Sequence, residues 1–319
     1  MIMKETTLSN GFTTLLLIEL PDWDAARFTS WFNANRDEVE EKLGVYGAIK
    51  FRGVRIRTLE TFQDIVEKIS EKFLNYIDGN SPRTKLSGTI YTSTEYDKTA
   101  RITMHNELSY SAKWPNKLFF SCLQPAASGG ETLLADSRAI LAKMKSDITE
   151  DIQKRGITYI RNLHGGRGMG PSWQDTFETG DKIQLEEYCQ SYGIRYEWKK
   201  NGHLRLVQSS KGIIEHRQSK ARAWFNQVDQ FHPCHLDKEV YEGLLAIYDS
   251  PGDFPIYVTY GDGRDISEET VREILDTTSE VTLSPVWQHD ELLIVDNELV
   301  SHGRNSYTGE RKVLVSMSE

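Results

Sequence analysis

His105-Asn106-Glu107 sets an imidazole and a carboxylate two residues apart, and a second candidate imidazole, His302, stands far downstream. Two imidazoles and one carboxylate form the donor set of the mononuclear non-haem iron site. That site keeps coordination positions open for a co-substrate and O₂. On a strand, residues two apart face the same side, so His105 and Glu107 can address one ion while Asn106 faces away. Zinc accepts the same donors plus water, as in hydrolases. The spacing is not the helical His-Glu-x-x-His of zinc peptidases, and nothing else in the chain looks like the base such a hydrolase needs. Taken one at a time, the two histidines read more readily as satisfied structural residues than as ligands, and Glu107 as a strand-end or surface acid.

An anionic co-substrate needs a cation. Arg311, just ahead of a strand expected over 312–317, can clamp a carboxylate with its fork of N–H groups. It reads as readily as a solvated turn residue in Thr308-Gly309-Glu310-Arg311-Lys312. Thr132, in Gly129-Gly130-Glu131-Thr132, offers a hydroxyl to the same carboxylate. For substrate contacts the candidates are Asn226, Arg167, Trp173 and Tyr110. Asn226 reads alternatively as a turn cap, Arg167 as a solvated loop residue and Trp173 as packing. The tract His232-Pro233-Cys234-His235 has no further spaced ligand and reads as pocket wall or packing rather than a second metal site.

The elements that must carry these residues follow from periodicity. Apolar residues at helical spacing predict helices over 24–43, 59–77, 136–145, 182–192 and 271–275, the last behind a capping box at Asp265-Ile266-Ser267-Glu268. Extended pieces are expected over 44–51, 88–91, 102–105, 118–123, 131–135, 223–227, 281–286, 291–295 and 313–317, with a hairpin over 194–198 and 203–207. The glycine-rich, aromatic stretch 161–180 reads as a loop over an active site. His302 falls in a polar loop between the last two strands. Many strands, few helices and no linker predict one domain over 1–319, mainly β with peripheral helices.

Composition narrows the classes. The chain has 319 residues, 38% hydrophobic and 27% charged, with a formal net charge of −9. That is a globular enzyme's composition, without the basic patch of a nucleic-acid binder. No secretory leader pattern is present, and Thr13–Ile18 is too short to cross a membrane. Three cysteines, none in CxxC spacing, predict no disulfide scaffold and a cytoplasmic setting.

Several stretches taken together resemble one family. They are Met104-His105-Asn106-Glu107-Leu108-Ser109-Tyr110, Gly129–Arg138, Trp224-Phe225-Asn226-Gln227, and Leu293–Asn297 running into Ser301-His302-Gly303-Arg304. With Arg311 and its strand they resemble the TauD/TfdA group of Fe(II)- and 2-oxoglutarate-dependent dioxygenases. The similarity is greatest to SyrP-like members of natural-product pathways. The resemblance implies a double-stranded β-helix, or jelly roll, with an insertion and lid at about 138–222. It implies His105, Glu107 and His302 as iron ligands, and Thr132 and Arg311 as the grip on 2-oxoglutarate. It further implies hydroxylation of an amino acid or amino-acid-derived substrate, free or tethered to a peptidyl carrier protein, with O₂ consumed. Desaturation and epoxidation belong to the same cofactor class. A zinc hydrolase and a non-catalytic jelly-roll binding protein are the alternatives from other classes. The sequence departs from many members in having Arg311-Lys312 where they have two adjacent arginines, and Val313-Leu314-Val315-Ser316 where they carry a further arginine. It also has Glu107 where many have Asp, and a carboxylate at that position argues against halogenation.

Overall fold

The strand Glu291–Asp296 reads Glu-Leu-Leu-Ile-Val-Asp and is buried along its whole length. A strand alternates its side chains between two faces, so such a run needs apolar cover on both. The computed structural model, which describes residues 3–79, 83–93, 96–200 and 202–319, supplies it. Leu293 and Val295 enter one core with Phe120, Val313, Val315, Leu133 and Leu134. Leu292 and Ile294 enter a second core with Phe28, Phe51, Phe62 and Ile65.

This strand lies inside an eight-stranded sheet in the order 4–9, 14–23, 48–54, 291–296, 117–124, 312–318, 90–92 and 85–87. All neighbours are antiparallel except 14–23 with 48–54, which run parallel. The helices Ala25–Ala34, Arg36–Tyr46 and Leu59–Ile69 cover the outer face with Phe28, Phe32, Val39, Leu43, Phe62 and Ile65. Facing the inner side is a three-stranded sheet in the order 102–105, 300–304, 132–136 and a four-stranded sheet in the order 195–198, 204–210, 157–163, 256–260. The two layers make the expected jelly roll with peripheral helices. Each CH₂ they bury contributes about 0.8 kcal/mol. No described helix is long and apolar enough to span a membrane.

Several elements differ from the sequence expectation. The helix expected over 24–43 is two helices divided at Asn35, and the second continues to Tyr46 before Gly47 stops it at φ 70°. The helix expected to reach 77 ends at Ile69, because Phe73 pairs with Ser318 as an extension of the sheet. Val281–Val286 is not a strand: Val281 closes the helix Glu268–Val281, and only Leu283 bridges to Leu134. That helix is capped by the Ser267 hydroxyl, which accepts from the Thr270 N–H at 3.1 Å. The helix Ser146–Arg155 and the hairpin Lys4–Ser9/Thr14–Trp23 were not foreseen. The first buries only Ile148 and Ile152 in a charged sequence, too weak a stripe to read.

Candidate active site

His105 ends the strand Ile102–His105, and His302 lies in the strand Val300–Arg304 directly opposite it in an antiparallel pair. His302 is therefore not on the polar loop that the sequence suggested. Ser301, His302, Gly303 and Arg304 are all buried, so polarity hid a strand whose polar groups serve a site. Gly303 lets the two strands close: a Cβ there would stand 2.6 Å from the Ile102 carbonyl oxygen. The two imidazole centroids are 4.3 Å apart.

Glu107 sits in the turn after the strand, not on the strand itself. Three side chains fix that turn. The Asn297 amide accepts from the Glu107 N–H at 2.7 Å and donates to the Glu107 carbonyl at 3.0 Å and the Pro115 carbonyl at 2.9 Å. Gln227 donates to the Asn106 carbonyl at 2.9 Å. Asn106 points away from the centre and donates to the Asn297 carbonyl at 2.6 Å. The result brings ligand atoms of His105, Glu107 and His302 within 4.8 Å of one another, with His302 Nε2 3.5 Å from Glu107 Oε2.

The electrostatics suit a cation. Burial, reinforced by His302, lowers His105 to about 3, so its ring is neutral at physiological pH. His105 Nδ1 lies 2.9 Å from the Thr103 carbonyl. A proton held there leaves the Nε2 lone pair for a metal. Burial opposes ionisation of Glu107, but the Arg83 guanidinium and His302 overcome it and hold the carboxyl well below its usual range. Two imidazoles and an ionised carboxylate fit a divalent transition-metal ion with positions left open.

His105 borders two cavities. One is lined by Thr132, Arg311, Phe120, His302 and Arg83, so the two residues expected to grip 2-oxoglutarate meet there. Arg311 is held by the Gly130 carbonyl at 2.8 Å and Ser93 Oγ at 3.1 Å. Burial lowers it to about 10, still a cation at neutral pH. It forms no salt bridge among the described residues, so its charge is available to an anion. Thr132 Oγ1 accepts from the Trp287 indole N–H at 2.9 Å, which leaves the hydroxyl proton to donate elsewhere.

The second cavity is lined by Glu107, Tyr110, Tyr76, Gln227, Gln230 and Thr103, among others. Tyr110 reaches it, with its hydroxyl donating to the Asp78 carbonyl at 3.1 Å. The other substrate candidates do not. Asn226 donates to the Gly212 carbonyl at 2.9 Å and accepts from the Val228 N–H at 3.3 Å, and it lines a different cavity behind the metal strand. Trp173 is buried in a satellite core, edge-on to Trp198 at 5.2 Å. Arg167 is exposed on the glycine-rich loop. His232 and His235 bond to the Ile266 and His232 carbonyls, and His235 forms part of the cavity wall. Sequence reasoning missed Arg83, Asn297, Gln230 and Trp287. Only Asn297 carried a signal, as part of a polar Asp-Asn-Glu tract abruptly ending the apolar run Leu292–Val295.

Comparisons with known proteins agree with this geometry. The family profile of the taurine catabolism dioxygenase TauD, TfdA family matches residues 15–317. The chain is 35% identical over 281 residues to the dapdiamide synthesis protein DdaC of Enterobacter agglomerans, covering 88% of this chain and 84% of that protein. It is 28% identical over 308 residues to a clavaminate synthase-like protein of Arabidopsis thaliana, covering 94% and 90%. Among solved structures, PvcB of Pseudomonas aeruginosa superposes with a TM-score of 0.56 at 13% identity, over 99% of this chain and 91% of that one. This likeness shows the shared fold. The match over nearly the whole length, together with a facial cluster of two histidines and one carboxylate, decides against the hydrolase and binding-protein alternatives. The chain belongs to the TauD, TfdA family and is an Fe(II)- and 2-oxoglutarate-dependent dioxygenase.

Proposed function

We propose that this enzyme hydroxylates an unactivated C–H bond of an amino acid or amino-acid-derived substrate in natural-product biosynthesis. The carrying observation is the pair of cavities that share His105. One holds Thr132 and Arg311; the other holds Tyr110, Gln227 and Gln230. Co-substrate and substrate then approach one centre from separate chambers. The 35% identity to a dapdiamide synthesis protein supports the pathway class.

In this reading His105, Glu107 and His302 hold the iron. Bound Fe(II) with 2-oxoglutarate and O₂ supplies the oxidising power that removes a carbon-bound hydrogen, the co-substrate leaving as succinate and CO₂. The chain's residues do the positioning. Arg311 forks the far carboxylate and Thr132 donates its hydroxyl proton to it. Gln227 and Gln230 present amides to the substrate chamber, and the Tyr76 and Tyr110 rings shape its wall. The insertion at 138–222 acts as a lid that excludes water. Its Gly170, Pro171 and Thr176 line the groove leading outward past Tyr76 and Arg83. The whole chain works as one catalytic domain in the cytoplasm, on a free substrate or one tethered to a peptidyl carrier.

The test uses anaerobically purified protein given Fe(II), 2-oxoglutarate and air. Succinate is measured by mass spectrometry with and without a panel of amino acids and their derivatives, and again in His302→Ala. Substrate-stimulated succinate that vanishes in the variant supports the reading. A product with two hydrogens fewer marks a desaturase instead, and an oxygen added across a double bond marks an epoxidase. Succinate unaffected by His302→Ala would sink the reading.

A further inference from the structure

The two cavities around His105 have an unusual charge. One is lined by Arg83, Arg304 and Arg311, the other by Arg101, with Glu107 as the single carboxylate of either wall among the described residues. Four arginines against one acid is the reverse of the chain as a whole, whose formal net charge is −9. The walls of this centre therefore carry a local positive potential against the chain's overall sign. A divalent ion and a 2-oxoglutarate dianion cancel each other's charge, so the excess remains after both have bound.

The arginines are not equivalent. Arg304 is spent on the Tyr96, Asp97 and Ala100 carbonyls. Arg311 is fixed on the co-substrate side. Arg101 is exposed at the rim. Arg83 differs from all three. Its side chain is 3% exposed, and its Nη2 donates to Glu107 Oε2 at 2.5 Å. Its Nε and Nη1 are buried and meet no hydrogen-bond partner among the described residues. The guanidinium lies over the Tyr76 ring, 4.5 Å from its centroid. Arg83 borders the co-substrate cavity and the outer groove, and Tyr76 borders that groove and the substrate chamber. It thus stands between the co-substrate cavity and the groove, against a ring that also faces the substrate chamber. Buried N–H groups without acceptors are costly, and an ionised oxygen placed against them makes a charge-assisted hydrogen bond.

We propose that Arg83 anchors a carboxylate of the substrate, so that the enzyme selects an anionic substrate over its neutral amide. This rests on the dioxygenase reading of the same site. Once Glu107 serves as a metal ligand, its charge is shared with the ion, and Arg83 has no other acid partner among the described residues. The substrate carboxylate accepts from the unmet N–H groups. The reactive carbon is then held at a fixed reach from the ion by the carboxylate rather than by an amine.

The experiment uses the whole protein loaded with Mn(II) and 2-oxoglutarate. Thermal shifts are read against matched pairs of amino acids and N-acetyl amino acids, each as free acid and primary amide. The expected result is that at least one acid binds tenfold or more tightly than its amide. Arg83→Gln should erase that preference, Arg83→Lys should keep part of it, and Arg167→Gln, on the exposed glycine-rich loop, should keep it whole. A panel in which no acid binds more tightly than its amide overturns the proposal, as does an Arg83→Gln protein that still discriminates. The shift produced by Mn(II) and 2-oxoglutarate alone, with its loss in His302→Ala, reports separately on the dioxygenase reading. If that shift is intact and acid preference is absent, only the anchor fails. If that shift is itself absent, both fail.

Discussion

Asn297 and Glu107 hold each other by two backbone-directed hydrogen bonds, one accepted and one donated by the same side-chain amide. Asn297 is fully buried and never touches the ion's position, yet it sets where the carboxylate points. Asn297→Ala leaves the Glu107 N–H and two carbonyls unmet, at about 1–3 kcal/mol for each such group. The expected outcome is a lowered melting temperature and a 10–100-fold loss of metal affinity, read by Mn(II) titration. Unchanged affinity would mean that the turn holds its shape without this clamp.

Trp287 acts on Thr132 in a comparable way. Its indole N–H occupies an acceptor site of the hydroxyl, which turns the Thr132 proton outward. Trp287→Phe keeps the ring and removes the donor, a loss of about 1 kcal/mol. The KM for 2-oxoglutarate should rise roughly fivefold, with kcat changed much less. A KM that does not move would place the co-substrate away from Thr132.

Gly303 permits the close approach of the two histidine strands. In Gly303→Ala the added methyl would meet the Ile102 carbonyl oxygen at 2.6 Å and Met104 Sδ at 3.0 Å. The strands must part, at a cost of about 1–3 kcal/mol. His105 and His302 then separate, and Mn(II) binding should weaken more than the melting temperature falls. Equal affinity in the variant would show that the imidazoles keep their spacing without that contact.

Asp229 offers a pH signature outside the metal centre. Burial pushes its carboxyl up from 3.8 to about 6. Folded protein therefore holds this proton more tightly than unfolded protein does, and stability falls as pH rises from about 4 to 6. Above that window the buried charge costs on the order of 3 kcal/mol; below it the cost is gone. Asp229→Asn should stabilise the protein at pH 8 by about 1–3 kcal/mol and leave it unchanged at pH 4. Denaturant midpoints at the two pH values test this, and a gain at pH 4 as large as at pH 8 would contradict it.

The three ligand residues were legible because their chemistry is scarce and because they sit inside family stretches. The strand carrying His302 was not, since Ser301-His302-Gly303-Arg304 has no apolar alternation to betray a buried strand. The strand at 291–296, with four apolar residues in a row, was legible for the opposite reason. Asn226, Trp173 and Arg167 have the right chemistry for a pocket, yet two are spent inside the protein and one faces solvent. Residue type alone does not separate a side chain that caps a turn from one that meets a ligand. Arg83 had no motif around it, and only the folded chain shows that its charge is buried beside Glu107.

The facing of His105 and His302 across adjacent strands also bears on how the enzyme comes to life. These residues lie far apart along the chain, so their meeting is a high-contact-order event that follows the closure of both layers. Metal capture is then coupled to completion of the β-roll, and binding free energy counts as folding free energy. Partly folded chains have no assembled trap for redox-active iron. Loading with metal becomes a checkpoint on folding, and any lesion that loosens the roll, however remote, is felt as weaker hold on the ion.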